Sequence, residues 1–119
     1  MTYLVKRGNK YGAKSTIYKG EAYHSKKEAG YARTLDLLKN ASDPSERVKS
    51  WERQVKISID INGHHICNYY CDFLVTFSDD HQELHEVKGF RNEIFRLKLL
   101  LLEAVYLPEH PELEYVIIT

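Results

Sequence analysis

Cysteine is scarce in this chain: of 119 residues only Cys67 and Cys71 carry a thiol. If both lie on one strand, their Cα atoms stand about 13 Å apart, beyond the reach of a disulfide. That excludes a disulfide-stapled fold, and two reduced thiols fit an intracellular setting. Long apolar runs are missing too. The longest, Leu99 to Leu102, falls far short of the roughly 18 residues that would span a bilayer. The stretch Met1 to Arg7 has too little apolar length for a secretory signal. These absences predict a cytoplasmic protein with no membrane attachment. There is no low-complexity segment and no internal repeat, and 43% hydrophobic residues with 12% aromatics argue for one globular domain.

Net charge is also absent, but its two signs are segregated. Residues 1–33 hold eight Lys/Arg against Glu21 and Glu28, leaving nine against fifteen acids in residues 34–119. A basic segment joined to an acid-rich body suits a protein that grips a polyanion while reserving carboxylates for a metal. An ordinary solvated basic arm would look the same.

Residues 1–24 show no helical periodicity and read as a basic N-terminal arm, with Asn9 to Lys14 a loop and Ser15 to Tyr23 extended or hairpin-like. Residues 25–119 form the domain proper. Ser25-Lys26-Lys27-Glu28 is a capping-box pattern that opens a helix over about 25–40, with Ala29, Ala32, Leu35 and Leu38 at helical spacing. Ala41 to Ser45 is turn chemistry. From Trp51 the period changes to two, with Val55, Ile57, Ile59 and Ile61 on one face, up to the hairpin turn Asn62-Gly63. A return strand from about His65 to Phe77, the turn Ser78-Asp79-Asp80 and a third strand from Gln82 to Lys88 complete an antiparallel meander. Asn92 to Tyr106 reads as a second helix burying Ile94, Leu97, Leu101 and Val105. Pro108 and Pro111 end it before a last strand, Leu113 to Ile118. A helix between two strands predicts that they are parallel neighbours joined by a right-handed crossover. The expected fold is α/β, with a mixed central sheet (antiparallel meander plus one parallel strand) flanked by helices.

Asp72 and Glu86 lie about equally far from the turn at Asp79, so antiparallel pairing sets them nearly opposite each other. Glu86 and Lys88 alternate onto the same strand face. Two carboxylates and a lysine then converge. Buried carboxylates need neutralising, and Mg²⁺ or Mn²⁺ does so through oxygen ligands while keeping water for chemistry. A lysine beside it can orient or deprotonate water or stabilise phosphate charge. The alternative is a set of solvent-facing residues with a cross-strand ion pair worth under about 1 kcal/mol. Asp72 inside the largely apolar Tyr70-Cys71-Asp72-Phe73-Leu74-Val75 argues for function. Glu28 also has two readings, as the closing residue of the capping box or as a site member reaching across from the helix.

A helix glutamate, a strand aspartate, Glu-x-Lys on the next strand and a following helix, in that order, resemble the PD-(D/E)XK nuclease superfamily, whose fold is restriction-endonuclease-like. The small phage-type endonucleases are most similar, including a group with an Asn-Lys-Tyr-Gly-Ala-Lys segment, here Asn9 to Lys14, and the junction-resolving endonucleases. Those share features with Asp72-Phe73-Leu74, Glu86-Val87-Lys88-Gly89, the basic stretch Arg91 to Lys98 and His110-Pro111-Glu112-Leu113. The resemblance implies metal ligation by Asp72, Glu86 and the Val87 carbonyl, with Glu28 at the metal or its water and Lys88 as catalytic lysine. Arg96 and Lys98 would face phosphate. Cys71 stands where the motif has proline, a shaping residue without chemistry. The implied protein is a Mg²⁺-dependent endonuclease (Mn²⁺ substituting) cutting DNA, branched DNA such as Holliday junctions above all, as a homodimer in phage-infected or bacterial cytoplasm. Two alternatives stand beside it: a nuclease of the same fold acting on duplex DNA or ends, and a non-catalytic DNA-binding module.

Lys10, Lys14, Lys26 and Lys27 form the expected backbone-contact group, with Tyr11 and Gly12 allowing close approach. Of the tyrosines, Tyr31 and Tyr69 are expected in the core. His64 and His65, with Cys67 and Cys71, could suggest zinc, but His65, Cys67 and Cys71 would be strung along one strand instead of converging on the ion, so surface turn histidines are the better reading. His85 precedes Glu86, points to the other face, and is a poor base for this site.

Overall fold

The computed structural model describes residues 16–87, 89 and 92–119. The chain begins there with a small hairpin, β1 (Thr16–Tyr18) and β2 (Glu21–Tyr23), turned by Lys19 and Gly20, both at positive φ. Helix α1 (Lys26–Leu38) follows, then β3 (Val48–Ile61), β4 (His64–Phe77) and β5 (Gln82–Val87). Helix α2 (Glu93–Leu101) continues into a π-helical turn (Leu102–Tyr106) and a short 3-10 turn (Leu107–Glu109) before β6 (Leu113–Ile118). The main sheet has the order β3-β4-β5-β6, antiparallel up to β5 and parallel between β5 and β6. This is the expected mixed α/β sheet, with α2 on the crossover. Asn62 and Gly63 both take positive φ, 53° and 79°, as a two-residue turn with the twist of its flanking strands requires.

Two cores hold the sheet. In the first, Ala29, Ala32 and Leu35 of α1 pack on Val48, Phe73, Val75, Phe77 and Val87, with Tyr23 of the small hairpin closing one side. In the second, Ile57, Ile59, Tyr69, Cys71 and Leu84 pack on Leu102, with Phe95, Leu99 and Leu101 around them. By simple alternation Trp51, Arg53, Val55, Ile57 and Ile59 share one strand face. Trp51 nevertheless serves the first core, and Ile57 and Ile59 the second.

The changeover falls at Gln54, whose φ of 51° is left-handed. For a residue with a side chain that conformation costs on the order of 1–2 kcal/mol, and it breaks the alternation and sharpens strand twist as a bulge does. The opposite strand switches at the same level: Phe73 belongs to the first core and Cys71 to the second. The site described next lies at this seam.

The buried face of α2 differs from the sequence expectation. Ile94 and Leu97 are exposed, at 43% and 58%, while Leu102 is fully buried and Phe95 and Leu99 pack inward. The segment is apolar on nearly every side, so periodicity alone leaves its orientation open, and the π turn at Leu102 shifts the face again. Ile61, expected inside, is at the exposed hairpin end. His64 and His65 are on the surface as expected, His65 bonded to Asp60.

Candidate functional site

Glu28 is set by the first turn of α1. Ser25 caps the helix, its hydroxyl accepting from the Glu28 backbone N–H at 3.1 Å. The Glu28 carboxylate, the other half of the anticipated box, is turned toward the sheet. There it meets the Gln54 amide at 3.3 Å, the Arg53 guanidinium at 3.7 Å and His24 at 3.9 Å. The side chain is almost wholly buried. Burial raises the Glu28 pKa and the neighbouring Asp72 charge adds to it, outweighing the opposing pull of His24 and Arg53. Ser25 therefore caps the helix as the pattern predicts, but the Glu28 carboxylate does not close the box and faces the sheet instead.

Asp72 sits in β4 at the seam. One carboxylate oxygen accepts from the Val87 backbone N–H at 2.9 Å, and the other from the Gln54 amide at 3.2 Å. The β4–β5 ladder runs from Thr76↔Gln82 to Phe73↔His85, so the next step along it brings Asp72 level with Glu86.

Glu86 is buried and accepts the Tyr69 hydroxyl at 3.0 Å, which also bonds the Tyr115 hydroxyl. Its pKa is pushed up to about 8, first by burial and then by the adjacent Asp72 carboxylate, with the Tyr69 bond opposing. Asp72 and Glu86 are thus neighbours across adjacent strands, as their distances from the turn imply.

Arg53 packs its guanidinium over the Tyr23 ring at 3.9 Å and donates to the Ala22 carbonyl at 2.8 Å, tying the small hairpin to the site. Arg53 and Gln54 are consecutive, yet both meet Glu28. The left-handed backbone at Gln54 makes that possible. Neither residue stands out in sequence reasoning, which assigns consecutive strand residues to opposite faces. The only sequence signal is that Glu52-Arg53-Gln54 sets three polar residues in a row where the strand from Trp51 otherwise alternates. Tyr69 is in the core as expected, and its polar end serves Glu86.

His85 does point away from Glu86. It is buried under α1, between Tyr31 and Glu83. The Tyr31 phenol, with its pKa pushed up to about 12 by burial, donates to His85 Nδ1, leaving His85 Nε2–H to donate to Glu83.

Lys26 and Lys27 are exposed on the first turn of α1, next to Glu28. Arg96 lies on the outward side of α2 beside Ile94, Leu97 and Leu100, and Lys98 is half-buried on the same helix. Lys88, Lys10, Lys14 and Arg91 lie outside the described residues, as does the segment Asn9 to Lys14.

Among the described residues no three His, Cys, Asp or Glu side chains are gathered into a finished metal cage. The Gln54 amide stands between Glu28 and Asp72. The donor chemistry still suits a hard divalent cation: two carboxylates meet across β4 and β5 and a third lies one amide away, all oxygen donors, with burial raising the pKa of Glu28 and Glu86. Among the described residues no helix is long and apolar enough to cross a membrane.

No curated protein matches the chain. A family profile covers residues 8–117, which takes in the hairpin, both helices, the main sheet up to the penultimate residue of β6 and every site residue above. The chain belongs to the family described as "Protein of unknown function (DUF1064)".

Proposed function

We propose that this chain is a metal-dependent endodeoxyribonuclease. The observation that carries the reading is the buried Glu86 carboxylate beside Asp72, at the C-terminal end of β5 where Lys88 follows. Two carboxylates this close, one of them sealed from water, invite a cation to neutralise them. When bound, Mg²⁺ or Mn²⁺ supplies Lewis-acid activation of water and of a phosphodiester.

Within that reading, Asp72 and Glu86 hold the cation, and the Val87 backbone N–H fixes the orientation of Asp72. Tyr69 holds Glu86 in place. Glu28 orients a water from the α1 side, and Lys88 orients or deprotonates the attacking water. Lys26 and Lys27, beside Glu28, bind the DNA backbone, joined by Lys10 and Lys14 of the basic arm and by Arg96 and Lys98. The preferred substrate is branched DNA, cut by a homodimer so that paired strands are severed together.

A second reading has an observation of its own. Gln54 and Arg53 already give Glu28 and Asp72 partners, as they would in a non-catalytic DNA-binding module whose acids only hold the fold. Incubation of supercoiled plasmid, linear duplex and a four-way junction with and without Mg²⁺ separates the two. Cutting that needs Mg²⁺ and is lost in Asp72→Asn and Lys88→Ala supports the nuclease. Junction binding with no cutting by the wild type supports the module.

A further inference from the structure

Gln54 is held in a strained backbone conformation at the one place where both long strands switch cores, and its amide spends both N–H bonds on carboxylates from two other elements. A glutamine needed only for packing would not require that geometry. A left-handed non-glycine residue inside a strand persists only where its surroundings over-determine it, and such residues gather at functional sites.

The amide nitrogen lies between Glu28 Oε1 and Asp72 Oδ1, 3.3 and 3.2 Å away. It occupies the position of a cation between two anions, and two acceptors fix which end of the amide faces them. A carboxamide carries a second possibility. A half-turn about its last torsion exchanges nitrogen for oxygen and converts a pair of donors into a hard oxygen ligand. Arginine or lysine in this place would repel a cation, and leucine would remove the donor that stands between Glu28 and Asp72.

From this we infer that Gln54 is a two-state positioning residue of the site: its N–H groups hold Glu28 and Asp72 together in the cation-free protein, and its carbonyl oxygen turns inward to join them around a bound divalent cation. The inference rests on the reading of Glu28, Asp72 and Glu86 as a cation site. It adds a residue from β3 to that set, and it accounts for the left-handed backbone, which aims position 54 at Glu28, the acid that Arg53 also reaches.

The test is calorimetric titration of the full chain with Mn²⁺, alongside thermal melting in EDTA, for wild type, Asp72→Asn, Gln54→Leu and Gln54→Glu. Gln54→Leu removes both states, so Mn²⁺ affinity is expected to fall by about tenfold or more. Gln54→Glu keeps an oxygen ligand but loses the donors. It should bind Mn²⁺ at least as tightly as wild type, melt lower in EDTA, and regain its melting temperature when Mn²⁺ is added. A purely structural glutamine predicts that both variants melt lower and that neither changes Mn²⁺ affinity, and that result overturns the inference. If Asp72→Asn loses Mn²⁺ while folded Gln54→Leu binds like wild type, the cation site stands and the role of Gln54 falls. If wild type itself shows no saturable Mn²⁺ binding, the cation site falls and the inference with it. Should Gln54→Leu fail to fold, Gln54→Glu decides: tight Mn²⁺ binding with rescue supports the role, and weakened binding refutes it.

Discussion

Gln54 faces Asp72 across the β3–β4 ladder, between the pairs Arg53↔Phe73 and Val55↔Cys71, and donates an amide N–H to it at 3.2 Å. The carboxylate also accepts from the Val87 backbone N–H. Asp72 therefore ties together three neighbouring strands. Its charge acts on Glu28 and Glu86 alike.

If that charge serves catalysis, replacing it should abolish cutting without unfolding the chain. Asp72→Asn keeps an oxygen for the Val87 N–H and much of the shape. Cleavage of a four-way junction in Mg²⁺ should fall on the order of a hundredfold or more, with circular dichroism unchanged. Lys88→Ala should do the same. Variants that cut at the wild-type rate would refute the assignment.

The raised pKa of Glu86 also governs stability. Its value moves from 4.5 to about 8 on folding, so between those pH values the native state holds a proton that the unfolded state has lost. Stability in EDTA should accordingly decline as pH rises from about 4.5 to about 8 and level off above. The upward shift at Glu28 works in the same direction. Urea denaturation at several pH values across this window should show the decline, and Glu86→Gln should flatten it. Divalent cation should restore stability at the alkaline end. A wild-type profile that rises through the window would contradict the assignment of Glu86.

The two sides of α2 and the π turn that continues it give a second stability contrast. Leu102 is fully buried in the second core, so Leu102→Ala should cost about 2–5 kcal/mol. Leu97, 58% exposed, should accept Leu97→Lys within about 0.5 kcal/mol. Urea midpoints of the two variants measure the difference. Equal losses would mean that the outward side of α2 is covered in solution.

Asp36 anchors the small hairpin and β3 to α1. It accepts from the Tyr18 hydroxyl at 2.6 Å and the Trp51 indole at 2.9 Å, and Lys19 and Lys39 pair with it. Those bonds hold its pKa well below the usual carboxylate range against the opposing effect of burial. Asp36→Ala strands the indole N–H and the phenol, a loss of about 1–3 kcal/mol. Hydrogen exchange should show Ile17 to Tyr23 opening more readily in the variant than in wild type. Unchanged protection there would show that other contacts hold the hairpin.

Much of the site could be read from spacing. Asp72 and Glu86 flank one tight turn at matching distances, and antiparallel pairing turns equal distances into adjacency. Ser25-x-x-Glu28 located the start of α1, because a helix cap is a local device whose partners lie three residues apart. Arg53 and Gln54 could not be found that way. Their shared contact with Glu28 depends on one left-handed φ, which period-two reasoning does not include. The orientation of α2 was hidden for a different reason: with Ile94, Phe95, Leu97 and Leu99 to Leu102 broken only by Arg96 and Lys98, several faces are apolar enough to bury.

By itself, then, the sequence determined the elements and their order, because periodicity, caps and turn residues act over a few neighbouring positions. It also determined that two acids would face each other, since a tight turn converts chain distance into cross-strand register. Only the tertiary structure decided which side of α2 is covered, where the two cores meet, and that Gln54 stands between Glu28 and Asp72. Each of these depends on packing between elements far apart in the chain, where the energy of burying a particular face outweighs the local preference of any one residue.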